Sequence, residues 1–221
     1  MTPSETASYF RELIDEPDTT FVTQANVTSY LDIAYGQFRQ QVTTIDPLVF
    51  ATVLEFTPSA SRQIDLTDSA HRVFGPDATG GTRMMQLLSL QAINGEGEVI
   101  FDYQPVTNLS AHVYTNDAYM LRGQVLRFNR EVSRKLRMTY LPEHNVDWTN
   151  SSGALDDLTM FHDMVALLAY SQYSMRDGVE NQAVLRQLTQ RTMALTEYLS
   201  SRNLESGSYV AQVGWDDFAW R

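Results

Sequence analysis

The sequence predicts an α+β protein in which N-terminal helices and a C-terminal antiparallel helical hairpin form a helical bundle, with a central antiparallel β-rich insertion and an extended C-terminal tail. Apolar residues recur at helical spacing near both ends of the chain, whereas short runs rich in β-branched and aromatic residues fill the middle. The stretch after residue 202 has no helical period. The predicted parts are residues 1–48 and 143–202 for the bundle, 49–142 for the insertion and 203–221 for the tail.

Two helices are predicted at the N-terminus. The first ends at Glu16-Pro17-Asp18, because a proline disfavours the α conformation of the residue before it. In the second helix, apolar residues recur every three or four positions and would bury one stripe. These residues are Val27, Leu31, Ala34, Phe38 and Val42.

The middle of the chain changes to strand patterns. Residues 49–56 are rich in β-branched and aromatic side chains, and 135–141 alternate apolar and polar residues. Asn94-Gly95 predicts a tight hairpin turn, since this dipeptide readily adopts positive φ angles. The apolar run 84–93 fits a strand or a helix. Several short strands in succession favour an antiparallel sheet.

The predicted C-terminal hairpin consists of a helix from about residue 155 to 175 and another from about 181 to 201. Asp177-Gly178 separates them. A break this short predicts that the two helices lie antiparallel.

The composition limits the classes of function. Cysteine is absent, which excludes disulfides, thiolate metal sites and a cysteine nucleophile. With 27 acidic and 16 basic residues, the net charge is −11, and such a chain should repel nucleic acid at long range. No secretion signal is recognisable, and no apolar stretch reaches the roughly 18 residues that would predict a membrane span.

No catalytic motif is visible, so we assign no catalytic, cofactor-binding or metal-binding residue and predict that the protein is not an enzyme. The sequence has no GxSxG elbow, Walker A or zinc pattern. Histidine and aspartate do cluster near 144–163, where a hard cation could bind, and a small metal-dependent hydrolase is therefore an alternative. However, helix starts normally collect acidic residues. The cluster contains His144, Asp147, Asp156, Asp157, His162 and Asp163.

Two segments are candidates for contact with partners. The tail is rich in aromatic residues although it is too short and polar to form its own core, and it could dock on a neighbouring subunit or fold back on its own. Its candidate contact residues are Tyr209, Trp215, Asp216, Phe218, Trp220 and Arg221. A basic stretch is either a solvated sheet face or a patch that meets an acidic partner or nucleic acid. It contains Arg127, Arg130, Arg134 and Lys135.

The order of elements resembles that of head–tail connector (adaptor) proteins of tailed bacteriophages. One match is the opening RELIDEPDTTFVTQANVTSYLDIAYGQF, through Leu13, Asp15, Glu16, Pro17, Phe21, Thr23, Tyr30, Leu31, Asp32 and Ala34. A second is KLRMTYLPE, residues 135–143, which is similar to that family's closing strand before a helical hairpin, here 156–202.

The resemblance implies a structural virion protein made in the host cytoplasm and located at the neck of the virion. Such proteins form rings, usually of twelve copies, under the portal and join it to the tail or to the next neck protein. The resemblance implies no enzymatic activity, cofactor or membrane contact, and we expect genomic DNA to pass through the lumen without specific binding. A cytosolic binding module is a further alternative.

Overall fold

The computed structural model describes residues 1–16, 21–68, 73, 83–112, 117–178 and 181–207. The described chain is α+β and divides into two compact units. The helical unit combines Met1–Val49 with the chain from Val146 onward, and the β unit comprises Phe50–Asn145. Both ends of the chain therefore contribute to one helical core.

The first two helices begin at well-formed caps. Helix α1 spans Pro3–Leu13 and starts with a capping box, in which Thr2 Oγ1 accepts from the Glu5 N–H at 3.2 Å and Glu5 Oε2 accepts from the Thr2 N–H at 2.8 Å. Helix α2 spans Gln24–Ile45, and its cap is the Thr23 hydroxyl. The apolar stripe predicted in α2, from Val27 to Val42, is fully buried.

Helix α3, Asp163–Asp177, forms the centre of the helical unit. Its residues 164–170 are all buried, and it packs chiefly against α2 and α1. Phe10, Tyr30 and Tyr173, one from each of these helices, meet with ring centroids 5.9–6.4 Å apart. Such tilted and edge-to-face aromatic contacts add to the energy of burial.

The prediction of a C-terminal helical hairpin is wrong. Helix α3 begins at Asp163 rather than near residue 155, because a 3₁₀ turn at Thr159–Phe161 precedes it. Helix α4, Gln182–Gly207, follows a left-handed Gly178, and α3 packs more extensively against α2 and α1 than against α4, so the two C-terminal helices do not form a separate hairpin. The physical reason is that residues 164–170 of α3 are buried on every side, so a single partner helix cannot cover them.

The predicted extended tail also starts too early. Helix α4 continues to Gly207, five residues beyond the predicted boundary at 202. The candidate contact residues from Tyr209 to Arg221 lie outside the described residues.

The β unit contains eight strands within the described residues, arranged as two four-stranded sheets. The strands are β1 Thr52–Phe56, β2 Ser61–Asp65, β3 Met84–Ile93, β4 Val99–Asp102, β5 Gln104–Pro105, β6 Ala118–Arg122, β7 Val125–Val132 and β8 Lys135–Pro142. Sheet A has the order β1-β8-β3-β4 and sheet B the order β2-β7-β6-β5. A turn at Asn94 joins β3 to β4, with the Gly97 N–H donating to the Asn94 carbonyl. The positive φ angle falls on Gly97, at +87°, and not on Asn94 or Gly95 as expected.

Residues from both sheets form one hydrophobic core. Sheet A contributes Leu90, Leu136 and Met138, and sheet B contributes Leu126 and Phe128. The prediction of an antiparallel insertion is therefore corrected in two respects. There are two sheets rather than one, and the short pair β5–β6 is parallel. The alternation within single strands did not reveal which strands belong to which sheet, for example that β7 and β8 lie in different sheets.

Trp148 anchors the return of the chain from the β unit into the helical unit. Its side chain is only 2% exposed, and its Nε1–H donates to Asp32 Oδ1 of α2 at 2.6 Å. Its ring also meets the Tyr35 ring edge-on, with centroids 6.1 Å apart. A buried hydrogen bond to a charged acceptor is among the stronger polar contacts in a protein.

We expect Trp148→Phe to lower the free energy of unfolding by about 2 kcal/mol, because the aromatic volume is largely kept while a donor to a carboxylate is lost. Urea denaturation at pH 7 measures this. Asp32→Asn, which keeps an acceptor oxygen, is the matched control and should lower the free energy of unfolding by less than Trp148→Phe does. Equal stability of Trp148→Phe and the wild type would show that this hydrogen bond does not stabilise the fold.

Candidate interaction surfaces

His162 and Asp156, two members of the candidate metal cluster, meet in a buried network of the helical unit. The fully buried His162 places Nε2 at 2.9 Å from Asp156 Oδ1 and Nδ1 at 2.9 Å from the Met1 carbonyl oxygen. Asp156 Oδ2 accepts from the Tyr35 hydroxyl at 3.0 Å. Burial, followed by the nearby Asp156 carboxylate, raises the pKa of Tyr35 far above its ordinary value. These polar atoms hold elements of the fold together.

Two further acidic members of the cluster, Asp147 and Asp163, have separate partners. Asp163 accepts from Arg191 Nε of α4 at 2.6 Å, and Asp147 accepts from the backbone and hydroxyl of Thr149 in a local turn. In the part of the chain that the structure describes, no three His, Asp or Glu side chains are grouped so that they could hold a metal ion. The clustering of these residues in sequence does not become a cluster in space.

We expect His162→Ala to lower the free energy of unfolding by about 3 kcal/mol, because it opens a cavity and removes a buried partner of Asp156. Asp157→Asn, at the exposed neighbouring position, is the control and should change stability by less than about 0.5 kcal/mol. Chemical denaturation of both variants at pH 7 gives the comparison. A neutral effect of His162→Ala would contradict a structural role for the network.

The basic stretch does not form one patch, since its members occupy different faces of the sheets. Lys135 lies on the face of sheet A that is turned away from the core, where its Nζ is 2.7 Å from Glu55 Oε2. Arg137 Nε donates to Glu55 Oε1 at 2.9 Å, and its Nη2 donates to the Gly97 carbonyl at 2.8 Å. The charge of Lys135 is thus already matched within the chain.

A row of polar side chains crosses all four strands of sheet A. Glu55, Arg137, Gln91 and Asp102 are successive cross-strand neighbours on β1, β8, β3 and β4. Gln91 Nε2 donates to Asp102 Oδ1 at 2.7 Å. Hydrogen bonds from Lys135 and then Arg137 hold the pKa of Glu55 below its usual value. The row fixes strand register through side chains as well as backbone.

This pKa shift predicts a pH dependence. A carboxyl group whose pKa is lowered on folding contributes stability above its unfolded pKa, near 4.5, and loses that contribution as the pH falls through the folded pKa. We therefore expect the difference in Tm between wild type and Glu55→Gln to be constant from pH 7 to about 5 and to shrink toward pH 3. Glu96→Gln, at the exposed β3–β4 turn, controls for the loss of one negative charge. A difference that grows on acidification would contradict the assignment.

Arg130 and Arg134 line a cavity of about 290 Å³ beside the turn between β7 and β8. The Arg134 guanidinium lies 5.8 Å from the centroid of the Phe101 ring, which packs edge-on against Tyr103 with centroids 5.0 Å apart. Burial, with a smaller effect of Asp117, raises the pKa of Tyr103 to about 12. The Tyr103 phenol is therefore protonated at neutral pH. This cavity combines cationic and aromatic side chains.

Arg127 is not among the residues that line this cavity. Its neighbours Leu126 and Phe128 are buried in the core, so alternation places Arg127 on the opposite face of β7. Its Nε is buried without a hydrogen-bond partner among the described residues.

The exposed face of α2 carries no charged side chain. Only Asp32 and Arg39 are charged in the 22 residues of this helix, and neither lies on the exposed face. Ile33, at its centre, is 53% exposed. The α2 face, defined by its exposed side chains, consists of Ala25, Asn26, Ser29, Ile33, Gln37, Gln40 and Thr44.

Helix α1 provides the contrast, since its exposed positions include Glu5 and Glu12. Charged side chains normally cover the solvent-facing side of a helix, and they are depleted at the centres of protein interfaces. The α2 face thus has the composition of a contact surface. Sequence reasoning missed it, although the low charge of residues 24–45 was visible.

No protein-family model matches the sequence, and no curated protein has significant similarity to it. Among the described residues, none of the helices combines the length and apolar character needed to cross a bilayer. The functional proposal therefore rests on the resemblance carried by residues 11–38 and 135–143 and on the surfaces described above.

Proposed function

We propose that this protein is a structural virion protein, a head-to-tail adaptor that forms a ring under the portal of a tailed bacteriophage. The uncharged α2 face is the observation that carries the proposal. A helix of 22 residues with an exposed face free of charge, in a chain that is 19% charged, is suited to burial against another protein. The ring would join the portal to the tail or to the next neck protein.

The residues that carry the resemblance have defined roles in the helical unit. Thr23 caps α2, Leu31 and Ala34 are fully buried, and Asp32 receives the Trp148 hydrogen bond. They specify how the N-terminal helices pack and how the returning chain meets them. A family that shares these residues would share this part of the fold, which is why they support the adaptor proposal.

A closed ring requires heterologous contacts, in which the α2 face of one subunit meets a different surface of the next. In this proposal twelve copies close the ring, synthesis takes place in the host cytoplasm, and the assembled protein acts at the neck of the virion.

The distribution of charge supports passage of DNA without specific binding. Residues 50–145 contain nine basic and ten acidic residues, whereas the remainder of the chain contains seven basic and seventeen acidic residues. The acidity is thus concentrated in the sequence that forms the helical unit. A lumen lined by such segments repels phosphate groups and offers few cations to hold them.

We expect the double substitution Ile33→Glu/Gln37→Glu to weaken ring assembly or portal binding at least about 100-fold, because burying an unpaired carboxylate costs several kcal/mol. Both positions are exposed, so the subunit should remain folded. Ser8→Glu, on the already acidic face of α1, is the matched control and should assemble as the wild type does. Sedimentation velocity with and without purified portal measures the assembly state.

Two results would contradict the proposal at different levels. Normal assembly of Ile33→Glu/Gln37→Glu would show that the α2 face is not the contact surface. A wild-type chain that stays monomeric at every concentration and does not bind portal would contradict the adaptor function itself.

A further inference from the structure

Tyr103 brings an unpartnered polar group to the cavity beside the β7–β8 turn. This residue is only 7% exposed, and its ring meets Phe101 and Phe128 edge-on, with centroids 5.0 and 5.2 Å away. Within the described residues, its hydroxyl has no hydrogen-bond partner. Asp117 and Arg134 both line the cavity and both act electrostatically on this hydroxyl, which places it on the cavity side. Since buried polar groups nearly always have a partner, this hydroxyl is suited to hydrogen-bond a molecule in the cavity.

Charged side chains of both signs surround the same cavity. They are Arg130, Arg134, Asp117 and Glu131, and all belong to the β unit. In the described part of the chain, none of these four side chains forms an ion pair. The Arg134 guanidinium instead lies 5.8 Å from the centroid of the Phe101 ring, which leaves its N–H groups available to an incoming acceptor. Charges that line one cavity without pairing can each meet a ligand group of the opposite sign.

These groups define the chemistry of a ligand. Guanidinium groups bind a carboxylate through parallel hydrogen bonds, and the Tyr103 phenol, whose pKa burial raises to about 12, remains a donor at neutral pH. Asp117 and Glu131 attract an ammonium group, and the rings of Phe101 and Tyr103 provide a surface for an aromatic body. The cavity volume of about 290 Å³ lies at the lower end of the range for small-ligand sites, about 300–1,000 Å³. A small aromatic molecule that carries both charges fits these features.

We propose that this cavity binds a small zwitterion, a free α-amino acid with an aromatic side chain. Arg130 and Arg134 hold the carboxylate together with the Tyr103 hydroxyl. Asp117 and Glu131 hold the ammonium group, and the aromatic side chain of the ligand packs against the cavity wall. The site is confined to the β unit, so it is independent of ring formation and of the adaptor function.

The first test is a calorimetric titration of the full chain with three probes that share one phenyl ring. L-phenylalanine carries both charges, hydrocinnamate lacks the ammonium group and phenethylamine lacks the carboxylate. We expect L-phenylalanine to bind at one site per chain, and each of the other two to bind at least about tenfold more weakly, because each loses one set of charge-assisted hydrogen bonds. Equal affinity of L-phenylalanine and hydrocinnamate would overturn the proposal of a zwitterion site. No saturable binding of L-phenylalanine up to about 10 mM would overturn the site altogether.

The second test locates the binding in the cavity. Arg130→Gln/Arg134→Gln should weaken binding of L-phenylalanine at least about 100-fold, and Tyr103→Phe about tenfold. Because the Tyr103 hydroxyl has no partner among the described residues, Tyr103→Phe should keep the Tm of the wild type without ligand, which separates a loss of binding from a loss of folding. Arg122→Gln removes an exposed guanidinium at the end of β6, away from the cavity lining, and should bind as the wild type does. Wild-type affinity in either cavity variant would contradict the assignment.

Discussion

The burial of helix α3 is the constraint on which the helical unit depends. Between Met164 and Tyr170 this helix presents an apolar or small side chain in every direction, so it must be surrounded. Helices α1 and α2 cover it from the N-terminal part of the chain, and α4 covers it from the C-terminal side. Because no single neighbour suffices, the two ends of the sequence must converge on one core. The Arg11 guanidinium reinforces this arrangement by donating to the Val22 carbonyl at 3.1 Å, which ties α1 to the start of α2.

Much of the fold was predictable where a local pattern has one physical meaning. The apolar stripe of α2 repeats at helical spacing and is fully buried. A turn that starts at Asn94 produces the β3–β4 hairpin, although Gly97 rather than Gly95 takes the positive φ angle. The start of α3 was not predictable in this way. Leu158, Phe161 and Val165 keep a spacing of three or four, yet Leu158 precedes and Phe161 ends a 3₁₀ turn, which also returns side chains to one side every third residue. Spacing alone could not mark where the α-helix begins.

The candidate site was less predictable than the fold, because it depends on partners that are distant in sequence. Arg130 and Lys135 are close neighbours along the chain, but the turn between β7 and β8 places them in different sheets. Lys135 meets Glu55, which is eighty residues away, whereas Arg130 lines the cavity. His162 illustrates the same limit. A histidine near several aspartates can be a metal ligand or a buried structural group, and only its burial and its contacts with Asp156 and Met1 distinguish the two.

The pairing of β1 with β8 has a consequence for how this protein can change over evolution. Thr52 lies directly opposite Tyr140, so the segment between the two parts of the helical unit starts and finishes on adjacent strands, about 5 Å apart. A segment whose two ends are neighbours can be lengthened, shortened or exchanged for another without separating the chain ends that it connects. The β unit is in this respect a replaceable module. Related chains could retain the same helices while presenting a different inserted domain to a different partner.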